Sequence, residues 1–331
     1  MASPRVTVVI PTYNRARFLG EAIESVLAQT FGDFELLIAD DGSGDDTSSV
    51  VARFDDSRLR HLALEHHGIS AALNAGLATA RGELFARLDS DDVWKPEMLA
   101  TLVPVLEAEP VGFVYGRGRA MRTDRTPLDQ VVGHPPRWSN DDMRSLVYDD
   151  CTCNIAIVAR RDAIIAAGGY DESLIAAEDW DLWLRVTTRA PFRFVDREVA
   201  CFRIHGDNLT RTGSPMQTNV LDSRLLVLDK FFASPAGHTV VDMAPSAYRN
   251  VYVFQTMQYL GARRYREAVR AFARSVSVAE HSVTTAVRNA AFILTQQVLM
   301  RHGITARPVR RFSGYRRQRR TRSQIGRKRD P

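Results

Sequence analysis

Short apolar, β-branched runs that alternate with helical segments are the feature that most restricts how this chain can fold. The run at 6–10 predicts a buried strand, and apolar residues recur at helical spacing over 16–29. The alternation continues with predicted strands at 34–39, 59–64, 84–88 and 112–115 and predicted helices at 45–54, 69–80 and 96–107. Strands separated by helices in this way predict βαβ units, and therefore an α/β fold with a mostly parallel sheet.

Polar residues follow three of these strands at the point where each strand ends. Pro11-Thr12-Tyr13 follows the first strand, Asp40-Asp41 the second and Asp89-Ser90-Asp91 the fourth. Parallel sheets bind ligands just outside the carboxyl ends of their strands. We therefore expect the three stretches to converge on one edge of the sheet and to form a site there.

The third of these stretches is an acidic cluster, with three carboxylates in the four residues from Asp89 to Asp92. Such dense negative charge needs a positive partner, and oxygen-only ligands suit Mg²⁺ or Mn²⁺ better than Zn²⁺. Asp89 and Asp91 have the same parity on an extended chain, so both can face one ion. The alternative is a solvated turn that caps a helix predicted to begin at Pro96.

The net charge of +5 is distributed unevenly along the chain. Residues 301–331 carry eleven Arg and one Lys against one Asp, a net +11, so the rest of the chain carries −6. The tail has few apolar residues, which predicts disorder. It can bind anionic lipid headgroups or nucleic-acid phosphates, and a purely solubilising role is the alternative.

The strand–helix pattern weakens after residue 122. The segment 123–140 contains three prolines and predicts a loop, and only helical periodicity is visible from Met216 onward. Between them we predict a strand at 154–159, a helix at 162–167, a helix that begins at Glu178 and a strand at 199–204. No window reaches the ~18 uninterrupted apolar residues of a membrane span, and three cysteines give no disulfide framework, which fits a reducing cytoplasm.

Several motifs in order give the chain a family resemblance. They are Val8-Val9-Ile10-Pro11-Thr12-Tyr13-Asn14, Ser25-Val26-Leu27-Ala28-Gln29-Thr30, Asp40-Asp41-Gly42-Ser43, the run from Gly68 to Gly76, the run from Leu88 to Asp92, and Ala177-Glu178-Asp179-Trp180-Asp181. Together they resemble family 2 glycosyltransferases of GT-A fold over about 6–205. The expected organisation is a Rossmann-like GT-A catalytic domain at 1–212, an α-helical region at 213–305 and the Arg-rich tail at 306–331.

The resemblance implies where a nucleotide-sugar donor binds. Pro11, Thr12 and Tyr13 would line the nucleotide pocket, with the Tyr13 ring against the base. Asp41 would accept a hydrogen bond from the base, which a uracil N3–H can donate. Asp40 would be structural, and the alternative for both carboxylates is a cap for the helix near residue 45.

Three further donor contacts are expected, and one position departs from the family pattern. The contacts are Asn74, for which a helix cap is the alternative, and Asp89 and Ser90 in the acidic cluster. His66-His67 stands before Gly68, where relatives often carry a short polar residue. The resemblance therefore does not say what this position contacts.

The resemblance also implies the metal ligands. Asp89 and Asp91 match the family's DXD element. Asp91 is the expected ligand of Mn²⁺ or Mg²⁺, and Asp89 would contact the ribose directly or through water, or serve as a second ligand. His205 follows a predicted strand and is a further candidate ligand, because neutral imidazole binds metals; a structural role is its alternative.

Asp179 matches the family's catalytic base. It lies in the first turn of a predicted helix, where the helix dipole favours the ionised carboxylate that a base requires. In an inverting displacement it would take the proton of the acceptor hydroxyl as that oxygen attacks the anomeric carbon. Glu178 would contact the acceptor or cap the helix.

The expected function is therefore that of an inverting, metal-dependent glycosyltransferase. It would move a sugar from a nucleotide-sugar, preferably UDP-linked, to a hydroxyl of a glycan or lipid-linked acceptor in cell-envelope polysaccharide synthesis. The alternative is a non-catalytic nucleotide-sugar-binding or scaffold protein with the same fold. We expect a cytoplasmic protein that contacts the anionic inner face of the membrane through its tail, and we do not expect nucleic acid as a partner.

Overall fold

The protein is described from a computed structural model over residues 3–138, 142–206, 208 and 217–278. The strands are β1 (Val6–Thr12), β2 (Phe34–Asp40), β3 (Leu59–Ala63), β4 (Leu84–Arg87), β5 (Val93–Trp94), β6 (Phe113–Met121), β7 (Pro127–Val132), β8 (Ile157–Arg160) and β9 (Phe192–Arg203). The helices are α1 (Ala16–Leu27), α2 (Thr47–Val51), α3 (Ile69–Thr79), α4 (Met98–Ala108), α5 (Asp142–Tyr148), α6 (Arg161–Ala166), α7 (Glu178–Thr187), α8 (Gln217–Phe232), α9 (Pro235–His238), α10 (Ala244–Gly261) and α11 (Tyr265–Val278). Short 3₁₀ helices lie at Asn154–Ala156 and Val241–Met243.

Within these residues the strands form one mixed sheet. Its order is β3-β2-β1-β4-β8-β6-β9-β5, and β7 pairs with β6. Neighbours from β3 to β4 run parallel, as predicted, whereas β8 runs antiparallel to both β4 and β6. The predicted α/β fold with a sheet flanked by helices is confirmed, and its second half is less parallel than expected.

Two short strands and one helix start are among the differences from the predictions. The predicted loop at 123–140 contains β7, which pairs antiparallel with β6. The segment after the acidic cluster contains β5, and α4 begins at Met98 rather than at Pro96. β5 is two residues long and pairs with β9, which is distant in sequence, so local periodicity does not indicate it.

β1 also continues past the point where a break was expected. Pro11 lies beside Ala39 in the ladder with β2. Val9 O accepts from Leu88 N at the end of β4, so Val9 hydrogen-bonds on the β4 side of β1. Pro11 is on the same side two residues further along, beyond the end of β4. The N–H that proline lacks therefore removes no hydrogen bond from the ladder.

The sheet separates two apolar clusters, which fixes the sides of the helices. Val8 and Ile10 pack on the side of α1 and α4, while Val9 packs with residues of α3 and α7 on the other side. Helix α3 lies close to β1 at Gly76, where an added Cβ would be 2.8 Å from Val9 Cγ1. This close packing positions the start of α3 beside the ends of β1 and β2.

The C-terminal helices share the second of these clusters. Val227, Leu228 and Phe231 of α8 and Val251 of α10 are buried in the same group as Trp180 of α7. Helices α8 to α11 are observed from Gln217 to Val278, within the region expected to be α-helical. The expected boundary at 212–213 and the expected tail at 306–331 lie outside the described residues. Over the residues that are described, every helix is too short or too polar to cross a bilayer.

Candidate active site

The register of the sheet aligns the ends of β1, β2 and β4. Thr12, the last residue of β1, lies beside Asp40, the last residue of β2. Val9 pairs with Arg87, the last residue of β4, and Leu88 N donates to Val9 O over 3.1 Å. The polar stretches that follow these strands therefore emerge at one edge of the sheet, as the sequence predicts.

An aromatic pair and a carboxylate form one end of this edge. Tyr13 stacks on His66, with ring centroids 4.0 Å apart and planes 12° apart, and it is 43% exposed. His66 Nδ1 lies 2.8 Å from Asp41 Oδ2, and the backbone N–H groups of His67 and Gly68 donate to the same carboxylate over 2.8 and 2.9 Å. A carboxylate offers about four lone-pair sites, so Asp41 can accept one further hydrogen bond.

Asp40 is held separately from Asp41. Its Oδ1 accepts from Ser43 N over 3.0 Å, and its Oδ2 lies 3.3 Å from His61 Nε2. These contacts fit the expected structural role. The alternative that the two carboxylates cap the nearby helix is wrong, because α2 begins without a side-chain cap and Asp41 bonds to the chain before α3.

Three other residues predicted to contact the donor, Thr12, Ser90 and Asn74, differ in their surroundings. Thr12 Oγ1 is buried and, among the described residues, has no hydrogen-bond partner, and its contact with a donor stays a prediction. Ser90 is buried in the loop after β4. Asn74 lies inside α3, so the helix-cap alternative is wrong. Its Nδ2 donates to Tyr170 O and Glu172 Oε1 over 2.9 and 2.8 Å, which ties α3 to the loop before α7.

Asp91, in the loop after β4, contacts His205, which follows β9. His205 Nε2 lies 2.9 Å from Asp91 Oδ2, and the two side chains are 5% and 17% exposed. Over the described part of the chain, no three His, Cys, Asp or Glu side chains gather into a ligand group. The carboxylate–imidazole pair still fits Mn²⁺, with substrate phosphates and water as its other ligands, and it fits Mg²⁺ less well because Mg²⁺ prefers oxygen.

Arg203 fixes the backbone of the acidic loop, and sequence reasoning missed it. Its side chain is fully buried, with Nε donating to Asp91 O, Nη1 to Thr123 O and Nη2 to Glu21 Oε2, each over 2.8 Å. The backbone N–H of Arg203 donates to Asp92 Oδ1 over 2.7 Å. Asp92 thus holds the loop to β9, two residues before His205.

Arg87 joins the acidic cluster to the start of α7. Its Nε donates to Asp89 Oδ1 over 2.7 Å and its Nη1 to Glu178 Oε1 over 2.8 Å. Burial raises the pKa of Glu178, and the Arg87 charge opposes that rise. The interpretation of Glu178 as a helix cap is wrong, because its carboxylate points to Arg87 and α7 has no side-chain cap. Its contact with an acceptor stays a prediction.

Asp179 follows a strained residue at the start of α7. Ala177 has a φ of 59°, a left-handed conformation that costs a residue with a Cβ about 1–2 kcal/mol. This turn aims the next residues of the chain into the site, where Asp179 is partly exposed. Its Oδ1 accepts from Trp180 N over 2.8 Å. Strain of this kind is concentrated at functional sites.

The surroundings of Asp179 raise its pKa. Burial is the largest cause, and the charge of Asp150 adds to it. Arg87, the Trp180 N–H and Arg224 oppose the rise. A carboxylate with a raised pKa is a stronger base when ionised, which suits proton abstraction from a hydroxyl.

Two members of the site were missed for different reasons. His66 was noted only as a departure from the family pattern, and its aromatic ring next to a turn was the signal for a stacking role. Arg203 gave no signal, because its partners are 80–182 residues away in the sequence. Both residues act through contacts that exist only once the sheet is assembled.

Residues 7–163 match the family model described as Glycosyl transferase family 2. An uncharacterized glycosyltransferase of Nostoc sp. is 38% identical to this chain over 141 residues, which is 41% of this chain and 44% of that protein. The chain thus spans less than half of the length of this curated relative.

Two solved structures have a similar fold. TarS of S. aureus in complex with UDP-GlcNAc is 15% identical, with a TM-score of 0.57 over 92% of this chain and 93% of that one. The mannosyltransferase PcManGT of Pyrobaculum calidifontis in complex with GDP-Man and Mn²⁺ is 20% identical, with a TM-score of 0.58 over 90% and 81%. At these identities the likeness shows the fold, which is the GT-A fold of glycosyltransferases. Segment 7–163, a little under half of the chain, is thus similar to glycosyl transferase family 2.

Proposed function

We propose that this protein transfers a sugar from a UDP-sugar to a hydroxyl of a glycan or lipid-linked acceptor, with inversion at the anomeric carbon. The observation that carries the proposal is the convergence of two separate sets of groups on one sheet edge. One set, Tyr13 and Asp41, suits a nucleotide base, and the other, Asp91 and His205, suits a metal-bound diphosphate. Asp179 follows Glu178, whose carboxylate Arg87 joins to Asp89 in the same acidic loop as Asp91.

The base end favours uracil. Tyr13 presents one ring face to solvent because His66 covers the other, and an exposed aromatic face stacks on a base. Asp41 accepts hydrogen bonds only, so it selects a base with an N–H at its pairing edge, as uracil N3 has. TarS, of similar fold, binds UDP-GlcNAc, which supports this choice. PcManGT, of the same fold, binds GDP-Man, so guanine, which also carries an N–H, is the base to test against uracil.

Asp91 and His205 would hold a divalent cation at the diphosphate end. When bound, the cation would supply Lewis-acid stabilisation of the charge that develops on the departing diphosphate. Arg203 holds the Asp91 backbone so that its carboxylate stays directed toward His205. PcManGT was solved with Mn²⁺, which favours that ion in this chain too.

Asp179 would act as the general base. It accepts the proton of the acceptor hydroxyl while that oxygen forms a bond to the anomeric carbon and the bond from that carbon to the nucleoside diphosphate breaks. A single displacement of this kind inverts the configuration. Arg87 pairs with Asp89 and Glu178 beside the base, and its single positive charge offsets part of the negative charge that the donor diphosphate meets on entry.

Peripheral contact with an anionic membrane is a second part of the proposal. The exposed side of α11 carries Tyr265 and Val269 beside Arg266, Arg270 and Arg274. A mixed basic and apolar helix face of this kind suits a negatively charged lipid surface, and it precedes the Arg-rich tail. Full-length protein should co-sediment with phosphatidylglycerol vesicles more than with phosphatidylcholine vesicles. Equal sedimentation of the full chain and of a protein ending at Gly303 would contradict the role of the tail.

A nucleotide-sugar screen tests the catalytic proposal. Purified protein is mixed with UDP-Glc, UDP-GlcNAc, UDP-Gal or GDP-Man, each with Mn²⁺ or with EDTA, and both thermal stabilisation and release of the nucleoside diphosphate are measured. We expect a UDP-sugar to stabilise the protein and to be hydrolysed slowly in the presence of Mn²⁺. Binding without release, with water or with any acceptor offered, would favour the non-catalytic alternative, and no binding at all would contradict both.

A further inference from the structure

A cavity of about 150 Å³ adjoins Asp179 and is closed on its far side by the C-terminal helices. It is lined by Asp150, Ala176, Ala177, Asp179, Val220, Leu221, Arg224, Phe254 and Gln258. Five of these residues belong to α8 or α10 and none to the stretches that form the donor site. The helices after the catalytic domain thus build one wall of a space that contains the proposed base.

The lining combines apolar carbon with a few polar groups. Phe254, Val220 and Leu221 supply an aromatic and aliphatic wall, while Asp150, Arg224 and Gln258 supply oxygen and nitrogen atoms. A sugar ring has the matching character, with apolar C–H faces and a rim of hydroxyl groups. Drug-sized ligands occupy pockets of about 300–1,000 Å³, so this space suits a single ring.

Arg224 is fixed at the centre of this wall. Its guanidinium lies 4.9 Å from the ring centroid of Phe254 and 5.5 Å from that of Trp180, and its Nη2 lies 3.6 Å from Asp150 Oδ2. Asp150 is oriented by Thr152, whose Oγ1 donates to it over 2.9 Å. Rings on two sides hold the guanidinium in place, so its donors and the Asp150 acceptor have defined directions.

The charges of the cavity restrict the acceptor further. Asp150 and Asp179 together outweigh the single positive charge of Arg224, so the lining is net negative when both carboxylates are ionised. A uronate or phosphate group in the same small space would be repelled. A neutral ring meets no such repulsion and can donate hydroxyl protons to both carboxylates.

We propose that this cavity is the acceptor subsite and holds one neutral, hydroxyl-bearing sugar ring. Phe254 and Val220 pack against the ring, Asp150 and Arg224 bind the hydroxyls beside the reacting one, and Asp179 takes the proton of the reacting hydroxyl. The inference rests on the proposed glycosyl transfer. It adds that α8 and α10 take part in selecting the acceptor, so part of the acceptor choice is encoded after residue 216, outside the family segment.

Methyl glycosides serve as probes, with the donor that the nucleotide-sugar screen identifies and Mn²⁺. Methyl β-D-glucoside, methyl β-D-galactoside and methyl N-acetyl-β-D-glucosaminide are the neutral probes, and methyl β-D-glucuronide is the anionic counterpart. For the best neutral probe, Phe254→Ala should raise the acceptor KM by about tenfold while the donor KM stays within about twofold. Val220→Phe fills the cavity without leaving a void and should raise the acceptor KM at least as much.

Tyr252→Ala is the matched control, because it removes another aromatic ring from α10 that does not line the cavity. It should leave both KM values unchanged. An unchanged acceptor KM in both Phe254→Ala and Val220→Phe would overturn the subsite, and equal use of the glucuronide would overturn its neutral character. Hydrolysis of the donor with no transfer to any neutral glycoside would also overturn the subsite but leave the proposed function standing. Absence of donor binding would contradict the proposed function itself.

Discussion

His205 Nε2 lies 2.9 Å from Asp91 Oδ2, although 114 residues separate them in the sequence. Asp91 follows β4 and His205 follows β9, which are not neighbours in the sheet. The buried Arg203 reaches from the end of β9 to the backbone of the acidic loop and brings the two segments together. Two groups that a divalent cation can use are thereby held side by side.

Removal of His205 should weaken metal-dependent nucleotide binding. We expect His205→Ala to lower the affinity for UDP in Mn²⁺ by about tenfold or more, because one of two protein ligands is lost. EDTA should lower the affinity of the wild-type protein to a similar level, and uridine, which has no diphosphate, should bind both proteins equally. Isothermal titration measures all three.

His238→Ala is the control for this prediction, because His238 is exposed on α9 and distant in sequence from the metal pair. Equal affinity of His205→Ala and wild type for UDP in Mn²⁺ would show that His205 holds no cation.

Loss of the Tyr13 ring should weaken binding at the base end only. An aromatic contact is worth about 0.5–1.5 kcal/mol beyond area burial, so Tyr13→Ala should raise the Kd by about three- to tenfold. The same factor is expected for UDP and for uridine, since the contact is with the base. Tyr13→Phe keeps the ring and should bind as the wild type does. An effect on UDP without an effect on uridine would place Tyr13 at the diphosphate instead.

Arg203 should contribute more to stability than an exposed Arg with a shared partner. Arg203→Ala removes three hydrogen bonds from a fully buried side chain, and we expect a loss of about 3 kcal/mol in the free energy of unfolding. Arg125 lies 3.7 Å from the same Glu21 carboxylate but is 59% exposed, so Arg125→Ala should cost less than about 1 kcal/mol. Urea unfolding of both variants gives the comparison, and similar losses would contradict the assigned role.

The pH dependence of transfer should report the charges around Asp179. Burial and then Asp150 raise the pKa of Asp179, while Arg87 and Arg224 lower it. A base works only when ionised, so activity is lost as the pH falls through this raised pKa. Asp150→Asn removes a negative neighbour, lowers the pKa and should move the acid limb of kcat to lower pH. Arg224→Gln should move the limb to higher pH, and shifts in the same direction would contradict the assignment.

The parallel half of the sheet and the edge where the site forms could be predicted from local pattern. Runs such as 6–10 are apolar enough to be recognised as buried strands without knowledge of their neighbours in the sheet. The polar residues at their ends mark the edge where ligands bind. The pairing order of β8, β6, β9 and β5 could not be predicted, because those strands pair with partners distant in sequence. β7 was hidden by the prolines of its segment, which favour a loop when read locally.

The same limit applies to the candidate site. Carboxylates in short motifs, such as Asp91 and Asp179, are visible in the sequence, and family resemblance suggests their roles. The supporting residues are not visible: Arg203 makes its contacts across the fold, and Phe254 reaches the cavity only because α10 packs on α8. Asn74 shows the converse: it lies in a family motif, but its side chain makes a structural contact. It bonds to Tyr170 and so holds the loop before α7 to α3.

The most direct measurement of the central claim is transfer by Asp179→Asn. The substitution keeps the size of the side chain and removes the proton acceptor, so the affinity for UDP in Mn²⁺ and the melting temperature should remain near those of the wild type. The kcat for transfer from the UDP-sugar should fall by about 10²–10⁴-fold. Transfer at the wild-type rate by this variant would contradict the account, because another group would then have to accept the proton.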